Sequence, residues 1–125
     1  MPISSTWGDE SRRCILISCL SEWSWDEFHD HEQTIVRRMV ADASRGISLL
    51  IDLKHGVWVK PDSLQDEVEL SGQFHRACGI PSVVFIVGDG AIGTLLLHLY
   101  QKHGSPITRY YQAHSLDHAC AHLKC

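Results

Sequence analysis

The sequence of 125 residues has no apolar run approaching the roughly 20 residues that cross a membrane. Its longest apolar runs, CILI and VVFIV, have the length of buried β-strands. No basic stretch followed by an apolar one stands at the N-terminus, so no signal peptide is predicted. The net charge of −4 lacks the positive excess that non-specific nucleic-acid binding requires. We therefore expect a cytoplasmic protein without membrane insertion and without a nucleic-acid partner.

Cysteine is present, but no two cysteines have the C-x-x-C spacing, and their number, five, is odd. Without a secretion signal, this predicts reduced thiols rather than a disulfide framework. Apolar residues make up 44% of the chain and charged residues 21%, which predicts a folded protein. The length and the absence of a linker predict one domain over residues 1–125.

The segment SEWSWDEF, residues 21–28, is typical of a helix start. Ser24 and Glu27 have the spacing of a capping box, in which each side chain bonds the backbone amide of the other residue. Trp23 and Phe28 occupy the two positions of a hydrophobic staple. The clustered aromatic and acidic residues are therefore interpreted as helix-start residues rather than as a ligand site.

A spacing of 3.6 residues then places Trp25, Phe28, Ile35 and Met39 near one buried face of the first helix. The same spacing places His29 on a different, solvated side.

Strand and helix patterns alternate along the chain in the order β-β-α-β-α-β-α-β-α. Residues 47–53 and 82–87 are nearly all apolar, as in parallel strands that helices cover on both faces. The pattern predicts an α/β fold with a mixed sheet of four to five strands, the inner ones parallel. A homodimer is compatible with this fold, since the exposed edge of the first hairpin can pair with a second copy.

Four segments together resemble the STAS or SpoIIAA-like superfamily, the anti-sigma-factor-antagonist fold, over essentially the whole chain. They are the hairpin leading into SEWSWDEF, the strand LLIDL, the strand VVFIVG and the terminal helix SLDHACAHL. The resemblance is to an uncharacterised bacterial branch. It implies a regulatory, non-enzymatic module that binds a partner protein and needs no cofactor.

In the regulatory branch of the superfamily, a phosphorylatable serine in a D-S-S-G motif begins the second helix. The present sequence reads IDLKHGVWVKPDSL, where Ser63 is only an approximate positional counterpart. The departure argues against a serine-phosphorylation switch. Some relatives in the superfamily bind small molecules or lipids, which implies a second candidate function with an apolar cavity beneath the first helix or near Trp58.

The segment that follows the strand ISLLIDL carries the predicted partner-binding residues, since ligands dock beyond the carboxyl ends of strands in open α/β sheets. These residues are His55, Trp58, Lys60, Asp62 and Ser63. Trp58 has two interpretations that the sequence leaves open. It is either an exposed interface anchor or a core side chain beneath the second helix.

The turn GDGAIG presents Gly88, Gly90 and Gly93 in the pattern G-x-G-x-x-G, between a predicted strand and a helix. This pattern makes nucleotide binding a third candidate function. However, the turn is the third β-to-α connection, and no acidic residue follows about 20 residues later to hold a ribose. A tight turn with close helix–sheet packing is the alternative interpretation.

Nine histidines raise the question of a metal site. His118 and His122 lie one turn apart on the last predicted helix, near His114 and Cys125, and could chelate zinc at the surface. A solvated histidine face is the alternative. On the second helix, His75 and Cys78 are close enough in sequence to touch, but no nucleophile elbow accompanies them. We therefore predict no catalytic residues and no enzyme activity.

Overall fold

The computed structural model describes residues 2–43, 46–79, 81–88 and 90–123. Its centre is a five-stranded sheet with the spatial order β1-β2-β4-β6-β7. The strands of this sheet are β1 (Ile3–Trp7), β2 (Cys14–Cys19), β4 (Ile47–Asp52), β6 (Pro81–Val87) and β7 (Arg109–Ala113). The helices are α1 (Trp25–His31), a π-helical segment (Glu32–Val36), α2 (Arg37–Asp42), α3 (Leu64–Cys78), α4 (Gly90–His103) and α5 (Leu116–Leu123).

Strand pairing agrees with the predicted mixed sheet. β1 and β2 form an antiparallel hairpin in which Ile3 lies opposite Cys19. The remaining pairs are parallel, and Leu50 at the centre of β4 lies between Leu16 and Phe85. The predicted α/β fold with parallel inner strands is therefore confirmed.

The apolar residues of β4 alternate between two cores because successive side chains of a strand point to opposite faces. Leu49 and Ile51 belong to the larger core, to which helices α1 to α4 contribute side chains such as Phe28 and Phe74. Leu50 belongs to a smaller core on the other face, under α5. This two-sided cover explains why the sequence of β4 shows no polar alternation.

The predicted capping box is present at the start of α1. The Glu27 amide donates to Ser24 Oγ at 3.1 Å, and the Ser24 amide donates to Glu27 Oε1 at 3.0 Å. The rings of Trp23 and Phe28 lie 5.8 Å apart, in contact as the staple requires. These residues therefore fix the point at which the helix begins.

Two expectations about the first helix are wrong. Ile35 is exposed, and Val36 is buried in its place. The cause is the π-helical segment, which inserts an extra residue and rotates the following side chains relative to a regular α-helix. His29, expected to be solvated, is also largely covered, with its side chain 17% exposed.

Two three-residue strands were not predicted. β3 (Ser21–Trp23) continues beyond β2, β5 (Gly56–Trp58) continues beyond β4, and the two pair in parallel as a small second sheet.

Candidate functional site

A cleft of about 350 Å³ lies beyond the carboxyl ends of β4 and β6. Its lining is mainly apolar or glycine: Leu53, Lys54, Gly56, Val57, Trp58, Gly88, Ile92 and Gly93. The cleft brings Trp58 together with two glycines of the GDGAIG turn, two features that are 30 residues or more apart in sequence. We refer to it below as the edge cleft.

The first wall of the edge cleft is β5 and the turn before it. Asp52, at the end of β4, accepts a hydrogen bond from the Lys54 amide at 3.0 Å and so shapes this turn. A Cβ at Gly56 would lie 2.4 Å from the carbonyl oxygen of Cys19, so only glycine lets β5 pass this close to β2. The wall is therefore held by backbone contacts to the main sheet.

Trp58 combines features of both its interpretations. Its ring contacts Trp23 at 5.7 Å and Trp25 at 5.8 Å in edge-to-face geometry, which joins it to the core. The same side chain is half-buried and also lines the edge cleft. Trp58 is thus a rigid part of the wall rather than a freely projecting anchor.

The three glycines of the GDGAIG turn differ in backbone conformation and in the space around their Cα atoms. Gly90 has a φ of +72°, a conformation that favours glycine. A Cβ at Gly93 would lie 2.6 Å from Gln112 Nε2, so this glycine allows α4 to pack closely on β7. A Cβ at Gly88 would meet only the Cβ of Leu53, at 3.9 Å, so a side chain there has room to project.

Close packing at Gly93 agrees with the alternative interpretation of the turn. Nucleotide binding at Gly88, Gly90 and Gly93 stays a prediction.

The other predicted partner-binding residues lie beside the edge cleft. Lys60, Asp62 and Ser63 line a second depression of about 390 Å³ at the starts of α1 and α3. Ser63 Oγ accepts a hydrogen bond from the Asp66 amide at 3.3 Å and caps α3. His55 is exposed in the turn before β5. The sequence prediction therefore covers two neighbouring depressions and the segment that joins them.

A buried polar network lies elsewhere, between the π-helical segment, α3, α4 and β7. Glu32 is 1% exposed and His75 is 0% exposed. Ser71 donates a hydrogen bond to Glu32 Oε2 at 2.9 Å, and Tyr100 donates to Ser71 at 2.8 Å. His75 places Nε2 3.4 Å from Glu32 Oε2 and Nδ1 2.9 Å from the hydroxyl of Tyr110.

The hydroxyls of Tyr100 and Ser71 form a chain of hydrogen-bond donors that ends at Glu32 Oε2. Burial raises the pKa of Tyr100 well above its ordinary value and that of Tyr110 to about 12, so both hydroxyls keep their protons. Tyr110 accepts a hydrogen bond from the Ser105 amide at 3.0 Å. When Tyr110 donates to His75 Nδ1, the neutral imidazole carries its hydrogen on Nε2, toward the carboxylate.

His29 connects the network to the surface. Its two ring nitrogens lie 3.6 Å from Glu32 Oε1 and 3.5 Å from Glu67 Oε1. Burial lowers the pKa of His29, but hydrogen bonds and Coulombic attraction to Glu32 and Glu67 outweigh burial and raise the pKa overall. These polar groups therefore stabilise one another across three elements.

Sequence analysis missed this network. The available signal was the position of Glu32, four residues after Phe28 and four before Val36, both of which are buried. An acid between apolar residues at helical spacing indicates a buried carboxylate that requires partners.

The structure gives His75 and Cys78 separate roles. His75 directs both ring nitrogens to Glu32 and Tyr110. Burial raises the pKa of the half-buried Cys78 thiol, which disfavours the thiolate form that acts as a nucleophile.

The two histidines of the candidate metal pair contact different neighbours. His118 stacks on His114 with ring centroids 6.5 Å apart, and His122 packs against Phe85 at 5.3 Å. Cys125 lies outside the described residues. Over the described ranges, no three side chains of His, Cys, Asp or Glu are arranged to hold a metal ion.

Comparison with solved structures identifies the fold. The chain is similar to the crystal structure of an uncharacterized protein from the DUF3478 family, with a SpoIIAA-like fold, from Shewanella loihica PV-4. The TM-score is 0.67, and the alignment covers 97% of this chain and 91% of that chain at 15% identity. The present chain therefore has a SpoIIAA-like fold, which confirms the resemblance noted from the sequence.

Sequence comparisons add no family assignment. No family model and no curated protein matches the sequence. Among the helices that the structure describes, none is long and apolar enough to span a bilayer.

Proposed function

We propose that the protein is a non-enzymatic binding module that docks a partner protein at the edge cleft. The observation that carries this proposal is the exposure of large apolar side chains around an apolar depression: Val57 is 71% exposed and Ile92 is 56% exposed. Exposed apolar residues that gather around a cleft are typical of interaction sites. The cleft also lies at the carboxyl ends of parallel strands, where open α/β sheets bind their ligands.

Basic side chains along the same segment define the chemistry of the partner. Lys54 lines the edge cleft, and His55 lies immediately before β5. Lys60 lies two residues after β5 in the second depression, whose lining is otherwise rich in acids. A partner segment with an apolar side chain for the cleft and an acidic residue beside the turn at Lys54 and His55 matches this surface. Charge complementarity of this kind steers association and fixes orientation.

The distribution of ionisable groups supports binding rather than catalysis. Among the described residues that line the edge cleft, Lys54 is the one ionisable side chain. Glu32 and His75, which could serve as an acid–base pair, are buried and engage one another. A general acid or base has to reach the substrate proton within hydrogen-bonding distance, which these two side chains do not do from the interior.

The proposal is tested by photocrosslinking in the native host. The photoreactive residue benzoylphenylalanine replaces Ile92 in one variant and Ile107 in the matched control, since Ile107 is also an exposed isoleucine but lies outside the cleft lining. We expect a discrete protein adduct from position 92 that position 107 does not give. Equal adducts from both positions, or no adduct from position 92, would contradict docking at the edge cleft.

A small apolar molecule or lipid is the second candidate occupant. The cleft volume of about 350 Å³ falls within the range of small-molecule sites. Native mass spectrometry of the protein purified from its host distinguishes the two. A bound molecule of constant mass that is lost in Gly88→Val would favour the second candidate, whereas protein docking predicts the unliganded mass.

Nucleotide binding at the GDGAIG turn has a separate test. Calorimetric titration with ATP, GTP and NAD at millimolar concentration is expected to give no binding heat. A saturable heat that Gly88→Val removes would replace protein docking with nucleotide binding as the function of this edge.

A further inference from the structure

β5 has one free edge. In the part of the chain that the structure describes, it pairs with β3 on one side and with no strand on the other. The free side faces the edge cleft, because Gly56, Val57 and Trp58 line it. An unpaired strand edge presents backbone donors and acceptors that another extended chain can pair with.

The pairing register shows which backbone groups lie on the free edge. Trp58 is the partner of Trp23 in β3, and the Val59 amide donates to the Trp23 carbonyl oxygen at 2.7 Å. Backbone groups of successive residues in a strand point alternately to its two sides. The N–H and C=O of Val57 and Val59 therefore face β3, and those of Trp58 face the edge cleft.

The edge cleft occupies the position of a missing strand. β3 continues beyond β2 and β5 beyond β4, but the chain after β6 turns into α4 at Gly90 instead of extending beside β5. The opposite wall is built from Gly88, Gly93 and Ile92. Two of these three residues have no side chain, so the gap beside β5 stays open to an extended backbone.

We propose that the partner protein supplies an extended segment that pairs with the free edge of β5 as the third strand of the β3–β5 sheet. The proposal rests on the proposed function and names the form of the partner. Backbone bonds to Trp58 provide affinity, and alternate side chains of the segment contact the apolar side chains of Leu53 and Ile92 in the cleft lining. The segment that fits is apolar at alternate positions and carries an acid at the end that faces the turn at Lys54 and His55.

A random 12-residue peptide library displayed on phage provides the probe. Selection on the purified protein, with counter-selection on Gly88→Val, isolates peptides that need an open cleft. Circular dichroism confirms that Gly88→Val is folded, and Ile92→Ser serves as a second cleft variant with Ile107→Ser as its control. The strongest selected peptide is then synthesised with a single N-methyl group at each backbone nitrogen in turn.

If the peptide adds as a strand, N-methylation is expected to weaken its binding at every second position of the peptide. N-methylation at alternate positions, whose N–H faces β5, weakens binding about tenfold because it removes a backbone hydrogen bond and blocks the edge. At the intervening positions, whose N–H faces away from β5, the affinity is expected to change by less than about twofold, which is the size of a typical surface-substitution effect. Hydrogen exchange measured by NMR is expected to slow at the Trp58 amide when the peptide binds.

The possible outcomes separate this inference from the proposed function. A selected peptide that requires the open cleft but shows no period of two overturns strand addition and leaves docking at the cleft intact. A selection that yields no peptide weakened by both Gly88→Val and Ile92→Ser overturns strand addition and counts against the proposed function as well.

Discussion

The buried polar network places ionisable side chains in the interior, and the edge cleft places apolar side chains at the surface, which is the opposite of the usual arrangement. The network holds a carboxylate, Glu32, and an imidazole, His75, in the interior, with less than 2% of either exposed. The edge cleft leaves Val57 and Ile92 more than half exposed at the surface. In the network, an acid and a histidine are buried next to each other. In the edge cleft, apolar side chains of the kind that usually fill a core are exposed to solvent.

The two regions also differ in what a substitution removes. In the network, Tyr100 donates to Ser71 and Ser71 donates to Glu32, so deletion of Glu32 leaves a buried donor unsatisfied. In the edge cleft, the exposed side chains contribute little to the folded core, so their loss is expected to leave stability almost unchanged. The predictions below use this difference, beginning with the largest expected change in stability.

Glu32→Ala has the largest expected effect, since it removes the acceptor on which Ser71 and His75 converge. We expect the free energy of unfolding to fall by about 2–4 kcal/mol, because Ser71 and His75 both lose a buried carboxylate neighbour and each unsatisfied buried polar group costs about 1–3 kcal/mol. Urea denaturation measures the change. Glu22→Ala, at an exposed glutamate, is the control and should change the free energy by less than about 0.5 kcal/mol. Equal effects of the two variants would remove the distinction between the network and the surface.

Gly93 and Gly88 belong to the same turn, but a Cβ at Gly93 would meet closely packed atoms, whereas a Cβ at Gly88 would have room. Gly93→Ala forces a methyl group against Gly88 O at 3.0 Å and Gln112 Nε2 at 2.6 Å, so we expect a loss of about 1–3 kcal/mol. Gly88→Ala places its methyl group in the cleft and should stay within about 0.5 kcal/mol of the wild type. Thermal denaturation of both variants measures the contrast. A larger loss at Gly88 than at Gly93 would show that the cleft wall is packed.

His29 and His31 lie in the same helix, α1, but their opposite pKa shifts are expected to change the stability with pH in opposite directions. The raised pKa of His29 means that its stabilising contribution is present below the ordinary histidine pKa of about 6.5 and is lost as pH rises through the folded value. Burial lowers the pKa of His31, against weaker opposition from Glu32 and Asp30, so its contribution is present above about 6.5 and is lost as pH falls.

Urea denaturation of His29→Gln and His31→Gln between pH 5 and pH 8.5, a range of about two units around the ordinary pKa, measures both effects. The stability difference from the wild type should shrink with rising pH for His29→Gln and with falling pH for His31→Gln. Parallel curves for the two variants would contradict the assigned environments.

Ile92→Ser has the smallest expected effect on stability. Because Ile92 is exposed, we expect its free energy of unfolding to match that of Ile107→Ser within about 0.5 kcal/mol. Only Ile92→Ser should lose docking. A clear loss of stability in Ile92→Ser alone would place this side chain in the core and not in an interaction surface.

Local signals in the sequence predicted most of the architecture. The capping box at Ser24 and the two-sided apolar pattern of Ile47–Asp52 depend on neighbouring residues, so they could be interpreted without a structure. The small sheet could not be predicted, because the three-residue strand Gly56–Trp58 gains its partner only when β2 and β4 end side by side. The burial of Glu32 depends on polar partners from another helix, Ser71 and His75, which lie far along the chain.

The candidate site was predicted in parts. Trp58 and the glycine turn were each recognised, but as separate features with separate functions. Their meeting in one cleft depends on the parallel alignment of β4 with β6, which brings the ends of both strands to one edge of the sheet. The strand order was therefore needed to bring the two features into one cleft, and partner binding by these residues stays a prediction.

The most direct test of the account places benzoylphenylalanine at position 92 in two further backgrounds, Gly88→Val and Glu32→Gln, in the native host. Crosslinking yields are compared per folded molecule, so that the stability cost of Glu32→Gln does not enter the result. We predict that Gly88→Val abolishes the partner adduct and that Glu32→Gln retains it. An adduct that persists in Gly88→Val but disappears in folded Glu32→Gln would contradict the account, because partner binding would then depend on the buried network and not on the edge cleft.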